Sequence, residues 1–183
     1  MVEKAMMFAA KAHLGAVRKG TDIPYIVHPM EAGAIAASIT SEKEVIAAAI
    51  LHDTLEDTAV TEDNILQEFG SEVLRLIKSD SENKRADIPP EETWKIRKTE
   101  TINYFKNCAD RKEKIIGLAD KLSNLRAIYR DHNQLGDELW KRFNQKDKNE
   151  HKWYYKSFEE TLADFKKTAA YEEYCELLAK VFG

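Results

Sequence analysis

Apolar side chains recur every three or four residues along most of this chain, and no long stretch alternates apolar with polar residues. Such spacing lines one stripe of a helix and cannot cover one face of a strand. The chain is therefore read as all-α. Met6, Met7, Ala10 and Leu14 begin the pattern, and Gly15 to Pro24 interrupts it as a loop. Pro29 suits a first helical residue ahead of Glu31 to Ile39. Thr40 and Ser41 offer caps for a helix from Glu42 to about His52, with Glu44 placed to complete a capping box with Ser41. Thr61 caps a segment carrying Ile65, Leu66 and Phe69, Gly70 ends it, and Val73, Leu74 and Ile77 resume the pattern. Lys78 to Glu92, charged and containing Pro89–Pro90, reads as an irregular connection. Helices are expected again over 91–107, over 112–129 and in pieces from Asp137 onward, although 137–150 shows no apolar face by which to place it. The 183 residues suffice for one compact helical domain, 1–183, and are short for two.

Composition narrows the functional classes. A net charge of −4 gives no support for non-specific nucleic-acid binding, although a local basic pocket is compatible with it. Cys108 and Cys175 form no Cys-x-x-Cys pair and are read as reduced thiols. Met1 to Lys11 lacks the uninterrupted apolar run of a signal peptide, and Val45 to Leu51 is too short to span a bilayer. The expectation is a cytoplasmic protein with neither membrane nor nucleic-acid partners.

Two histidines and two carboxylates stand where apolar runs stop. His28 lies at a helix entrance in Pro24-Tyr25-Ile26-Val27-His28-Pro29, His52-Asp53 follows Ala47-Ala48-Ala49-Ile50-Leu51, and Asp120 follows Ile115-Ile116-Gly117-Leu118-Ala119. Charged residues that directly follow core-forming ones fall at the inner edge of a bundle, where a carboxylate is costly unless paired or bound to metal. Two imidazoles and two carboxylates suit one divalent transition ion. If the helix continues past His52, Glu56 falls one turn beyond it and Asp57 one turn beyond Asp53. Like charges that close raise at least one pKa, which suits a group that takes a proton from water. Arg18-Lys19, between Gly15 and Gly20, and Arg97-Lys98 supply the cations that a phosphate-rich substrate needs.

Four ordered motifs between residues 12 and 126 combine these positions. They are Ala12-His13-x-Gly15-x-x-Arg18-Lys19, Pro24-Tyr25-Ile26-x-His28-Pro29, His52-Asp53-Thr54-Leu55-Glu56-Asp57-Thr58 and Leu118-Ala119-Asp120-Lys121-Leu122-Ser123-Asn124-Leu125. Together they resemble the guanosine-alarmone hydrolase branch of the HD superfamily, the small SpoT-like hydrolases. The resemblance implies an HD-domain helical bundle that hydrolyses ppGpp or pppGpp at the 3′ position with metal-activated water, releasing pyrophosphate and GDP or GTP. It implies one manganese ion (Mn2+) per chain, held by His28, His52, Asp53 and Asp120. It makes Glu56 and Asp57 the pair that positions and activates water. Arg18 and Lys19 would contact the nucleotide, the guanidinium stacking on the base, and Asn124 would contact ribose or base. Shorter matches at Ser81-Glu82-Asn83-Lys84, at Trp94 with Arg97-Lys98 and at Trp153-Tyr154-Tyr155 add Lys98 and Tyr154 to the expected pocket. Larger relatives continue into a synthetase domain and regulatory domains. A chain ending at Gly183 is expected to be a stand-alone hydrolase.

Two other readings stay open on the residues. The same metal site could act on another nucleotide, as an NADPH 2′-phosphatase or a nucleotidase does. Alternatively the fold could bind alarmone or a protein partner without catalysis, a reading that the intact ligands and Glu-Asp pair weigh against.

Overall fold

A computed structural model describes residues 1–80, 85, 87–107 and 109–183. Ser81 to Lys84 and Cys108, singled out above, lie outside the described residues. Among these the chain is helical, with one isolated bridge between Val17 and Pro24 and no strand. The all-α expectation holds. The residues group into two compact units, 1–81 with 110–123 and 82–109 with 124–183.

The first unit is built on small residues. α1 (Val2–Ala12) buries Ala5 and Ala9, and α2 (Val27–Ile39) buries Ala32, Gly33, Ile35 and Ala36. α3 (Lys43–Leu51) buries Val45 and every residue from Ala47 to Leu51, so it is enclosed nearly all round. α1, α2 and α6 (Ser71–Asp80) all pack on it. A Cβ built on Gly33 would stand 2.3 Å from Ile50 Cγ1, so the α2–α3 approach requires glycine at this position. α2 starts at Val27, two residues before the proline expected to open it. Pro29 is tolerated because the first N–H groups of a helix have no intrahelical partner.

α3 ends at Leu51, and a separate single turn, α4 (Thr54–Asp57), follows. Thr61 caps α5 (Glu62–Phe69) in a reciprocal box with Asn64, and Gly70, at φ 88°, ends it. The box expected from Ser41 and Glu44 does not form. Glu42 is the N-cap of α3 without a side-chain cap, and the Thr40 hydroxyl accepts the Glu42 N–H instead. α6 carries the helix two residues past Lys78. Asp110 and Glu113 start α8 (Arg111–Leu135) with a reciprocal pair of side-chain to backbone bonds of 3.0 and 2.9 Å.

The second unit holds α7 (Pro90–Asn107), the later turns of α8, a 3-10 helix over Gly136–Arg142, α9 (Lys148–Thr161), a 3-10 turn over Ala163–Phe165 and α10 (Ala169–Phe182). Its core is aromatic: Trp140 stacks on Phe182 at 5.5 Å and lies 5.0 Å from His151. Of the stretch 137–150, unplaced by periodicity, residues 137–147 are a 3-10 helix, a bend and a short link, conformations with no 3.6-residue repeat to detect, and 148–150 already begin α9.

Candidate metal centre

α2, the end of α3, α4 and the first half of α8 deliver four side chains of the first unit to one point. His28 Nε2 lies 3.4 Å from Asp53 Oδ2 and 3.2 Å from Asp120 Oδ1, and His52 Nε2 lies 3.0 Å and 3.6 Å from the same two oxygens. One donor atom each from His28, His52 and Asp120 falls within 4.8 Å of the others. All three residues are buried. His52 and Asp53, the two residues between α3 and α4, keep right-handed helical dihedrals, and their side chains meet at this point with His52 Nε2 3.0 Å from Asp53 Oδ2.

The hydrogen bonds on the far side of each ring fix which nitrogen is available. His52 Nδ1 donates to the Ala49 carbonyl at 2.8 Å, so the neutral ring presents Nε2 as a lone pair. That Nε2 is buried and makes no aligned hydrogen bond. His28 Nδ1 is 2.8 Å from Ser123 Oγ, whose own proton goes to Glu31 Oε2 at 2.6 Å, so Ser123 accepts from His28. Both Nε2 atoms thus face the two carboxylates, each ring oriented by a partner on its far side, as outer-shell partners orient a ligating histidine. The donor set, two imidazoles and two carboxylates, fits one divalent transition ion.

Protons and such an ion compete for the same atoms. Burial alone would depress the His52 pKa, but Asp53 and Asp120 outweigh it and hold it well above the ordinary histidine value. Burial would likewise raise Asp53, yet His52 and His28 hold it well below the carboxylate range. Asp120 is held down against burial by Lys121, which pairs with it, and by the two histidines.

Three residues without an expected role join the site. The Tyr25 hydroxyl donates to Asp53 Oδ2 at 2.7 Å and stands 3.1 Å from Asp57 Oδ2. Burial, followed by the charge of Asp53, raises its pKa far above the ordinary phenol value, so it remains a donor. His13 is buried with its ring 4.9 Å from that of Tyr25. Burial lowers its pKa despite Asp53 and Asp57, leaving it neutral. Ser123 orients His28. Tyr25, His13 and Ser123 all stood inside the four motifs, but nothing in their spacing shows a hydroxyl or imidazole finding partners elsewhere in the chain.

Asp57 follows Asp53 by one turn of backbone, its N–H donating to the Asp53 carbonyl at 2.9 Å. It is exposed, and Glu56 is half-buried. Arg18 and Lys19 sit in a tight turn closed by the Arg18 N–H to the Ile23 carbonyl at 2.8 Å, and the Arg18 guanidinium lies 5.5 Å from the Tyr25 ring centre. Asn124, Lys98 and Tyr154 belong to the second unit. There the Lys98 ammonium lies 4.9 Å from the Tyr154 ring centre.

This arrangement and the sequence coincide with a known family. A model of the HD domain matches residues 5–146, and the chain belongs to the HD-domain family. Within it, the chain is 32% identical over 136 residues to a GTP pyrophosphokinase of Myxococcus xanthus, a match covering 72% of this chain and 17% of the relative. It is 30% identical over 128 residues to a guanosine-3′,5′-bis(diphosphate) 3′-pyrophosphohydrolase of Aquifex aeolicus, covering 70% and 18%. The chain thus spans less than a fifth of the length of these relatives. Among solved structures it shares its fold with a metazoan orthologue of SpoT that hydrolyses ppGpp and plays a role in starvation responses (TM-score 0.77, 24% identity, 98% of this chain and 94% of that one). It is also similar to lmo0812 from Listeria monocytogenes EGD-e (TM-score 0.73, 29% identity, 85% and 98%). No helix among the described residues is long and apolar enough to cross a membrane.

Proposed function

We propose that this chain hydrolyses the 3′-pyrophosphate of ppGpp and pppGpp, giving GDP or GTP and pyrophosphate. One manganese ion would be held by His28, His52, Asp53 and Asp120. The observation that carries the reading is the pair of buried Nε2 atoms, with His52 Nε2 making no aligned hydrogen bond, facing two carboxylate oxygens at 3.0 to 3.6 Å. The four motifs and the named activity of the Aquifex relative support the choice of substrate. When bound, the ion supplies Lewis-acid polarisation of water and phosphoryl oxygen.

The protein's own groups do the rest. Glu56 and Asp57 orient the attacking water and accept its proton. Water adds to the phosphorus linked to the 3′ oxygen, the bond from that phosphorus to the 3′ oxygen breaks, and the departing 3′ oxygen takes up one proton, balancing the one the carboxylate pair accepts, so that the nucleotide leaves with a 3′ hydroxyl. Arg18 and Lys19 balance the phosphate charge from their turn. Asn124, Lys98 and Tyr154 are assigned to the nucleotide on the sequence motifs.

The test is product analysis with manganese-loaded protein and ppGpp in 18O-labelled water. GDP and labelled pyrophosphate, lost on chelation and in Glu56→Ala, are the expected result. Absence of ppGpp turnover together with phosphate release from NADPH would keep the metal centre and replace the substrate.

A further inference from the structure

We infer that Tyr25 is a positioning residue whose single hydroxyl ties the Asp53 carboxylate, facing both histidines, to Asp57 at the far end of the next turn. The inference rests on the metal-centre reading above. Tyr25 leaves the Arg18 turn with its backbone N–H bonded to the Ala16 carbonyl at 2.8 Å. Its ring packs beside His13 and Arg18 at 4.9 and 5.5 Å, which sets where the hydroxyl ends. The oxygen it reaches on Asp53, at 2.7 Å, is Oδ2, the same atom that lies 3.0 and 3.4 Å from the two Nε2 atoms. The second contact, 3.1 Å to Asp57 Oδ2, reaches the exposed carboxylate assigned to the water.

This geometry has two effects. An Asp53 side chain that is 19% exposed at the edge of the centre is held with one oxygen turned inward rather than toward solvent. In addition, the hydroxyl that gives its proton to Asp53 lies 3.1 Å from Asp57 Oδ2, so two carboxylates four residues apart meet at one group outside their own helix turn. The phenol is joined by covalent chain to the turn that presents Arg18 and Lys19. The three functions therefore meet at Tyr25.

Tyr25→Phe removes the hydroxyl and keeps the ring against His13 and Arg18, so it separates anchoring from packing. Manganese binding is titrated directly in wild type, Tyr25→Phe and Asp53→Ala by the resonance signal of unbound Mn2+, with kcat and KM for ppGpp measured at saturating ion. The expected result is a 10- to 100-fold weaker manganese affinity in Tyr25→Phe, roughly the loss that follows removal of an outer-shell partner, with lower kcat and unchanged KM. Asp57→Asn, which leaves the Asp53 bond in place, is expected to bind manganese as wild type does. Asp53→Ala binding manganese as tightly as wild type would overturn the metal centre itself. Loss of the ion in Asp53→Ala with wild-type affinity in Tyr25→Phe would overturn the role of Tyr25 alone.

Discussion

Each histidine of the centre is held from behind, and the two holds differ in kind. His52 leans on a backbone carbonyl that no substitution removes, whereas His28 leans on Ser123, a side chain that one substitution deletes. Ser123→Ala leaves the His28 Nδ1 proton without its acceptor and is expected to weaken manganese binding by about 10-fold or more, as read by metal titration. The pH dependence of binding has a definite sign. Because Asp53 and Asp120 raise the His52 pKa, a proton must leave before Nε2 can bind an ion. Affinity should rise with pH through that raised pKa and level off above it, and isothermal titration in buffers of different ionisation heat would register the proton released. Affinity that falls with rising pH would contradict this. That His28, His52, Asp53 and Asp120 belong together was legible because His52-Asp53 and Asp120 each follow an apolar run. Tyr25 and Ser123 were not, because their partners lie 28 and 95 residues away in sequence and no local pattern records such a distance.

The elements meet through small residues and ion pairs, and each device can be tested. Gly33→Ala drives a methyl group into Ile50, two residues before His52, with both helices already packed. A loss of about 1–3 kcal/mol in chemical denaturation is expected, as for overpacked cores. On α6, Arg75 reaches Glu72, Asp110 and Glu113, and Lys112 reaches Glu72 and Glu42, so the start of α8 is laced to α6 and to the residue before α3. The Arg75 bond, opposed by slight burial and aided by Lys112, lowers the Glu72 carboxyl from 4.5 to about 2. A depressed carboxylate stabilises above its unfolded pKa, and that contribution is lost as pH falls through the folded value. The advantage of wild type over Glu72→Gln, below about 1 kcal/mol for pairs this exposed, should therefore vanish between pH 4.5 and about 2 in pH-resolved unfolding. Most helices could be read from their apolar spacing. Some ends could be read too, since Thr61 and Gly70 bound α5 as expected, but the start of α3 could not, because Thr40 satisfies the N–H of Glu42 by a local turn and Glu42, not Ser41, then becomes the cap.

For the molecule as a whole, an ion that binds only the folded state adds to its stability. At an ion concentration 100 times Kd the gain is about 2.7 kcal/mol, worth about 2–4 °C per kcal/mol in a chain of this size. Manganese should raise the melting temperature of wild type and leave that of Asp53→Ala unmoved, and chelation should reverse the gain. A matching rise in Asp53→Ala would place the ion elsewhere. The end of α3 adds a constraint on redesign. The His52 ring that presents Nε2 also satisfies the Ala49 carbonyl, and Thr54, beside Asp53, satisfies that of Leu51 at 2.6 Å. Exchanging His52, a proposed ligand, to alter what the centre binds would also remove the bond that closes the end of α3 at the Ala49 carbonyl. Donor set and backbone would have to be varied as one unit, and libraries that randomise the ligand alone would be enriched in proteins that fail to close the helix rather than in new chemistries.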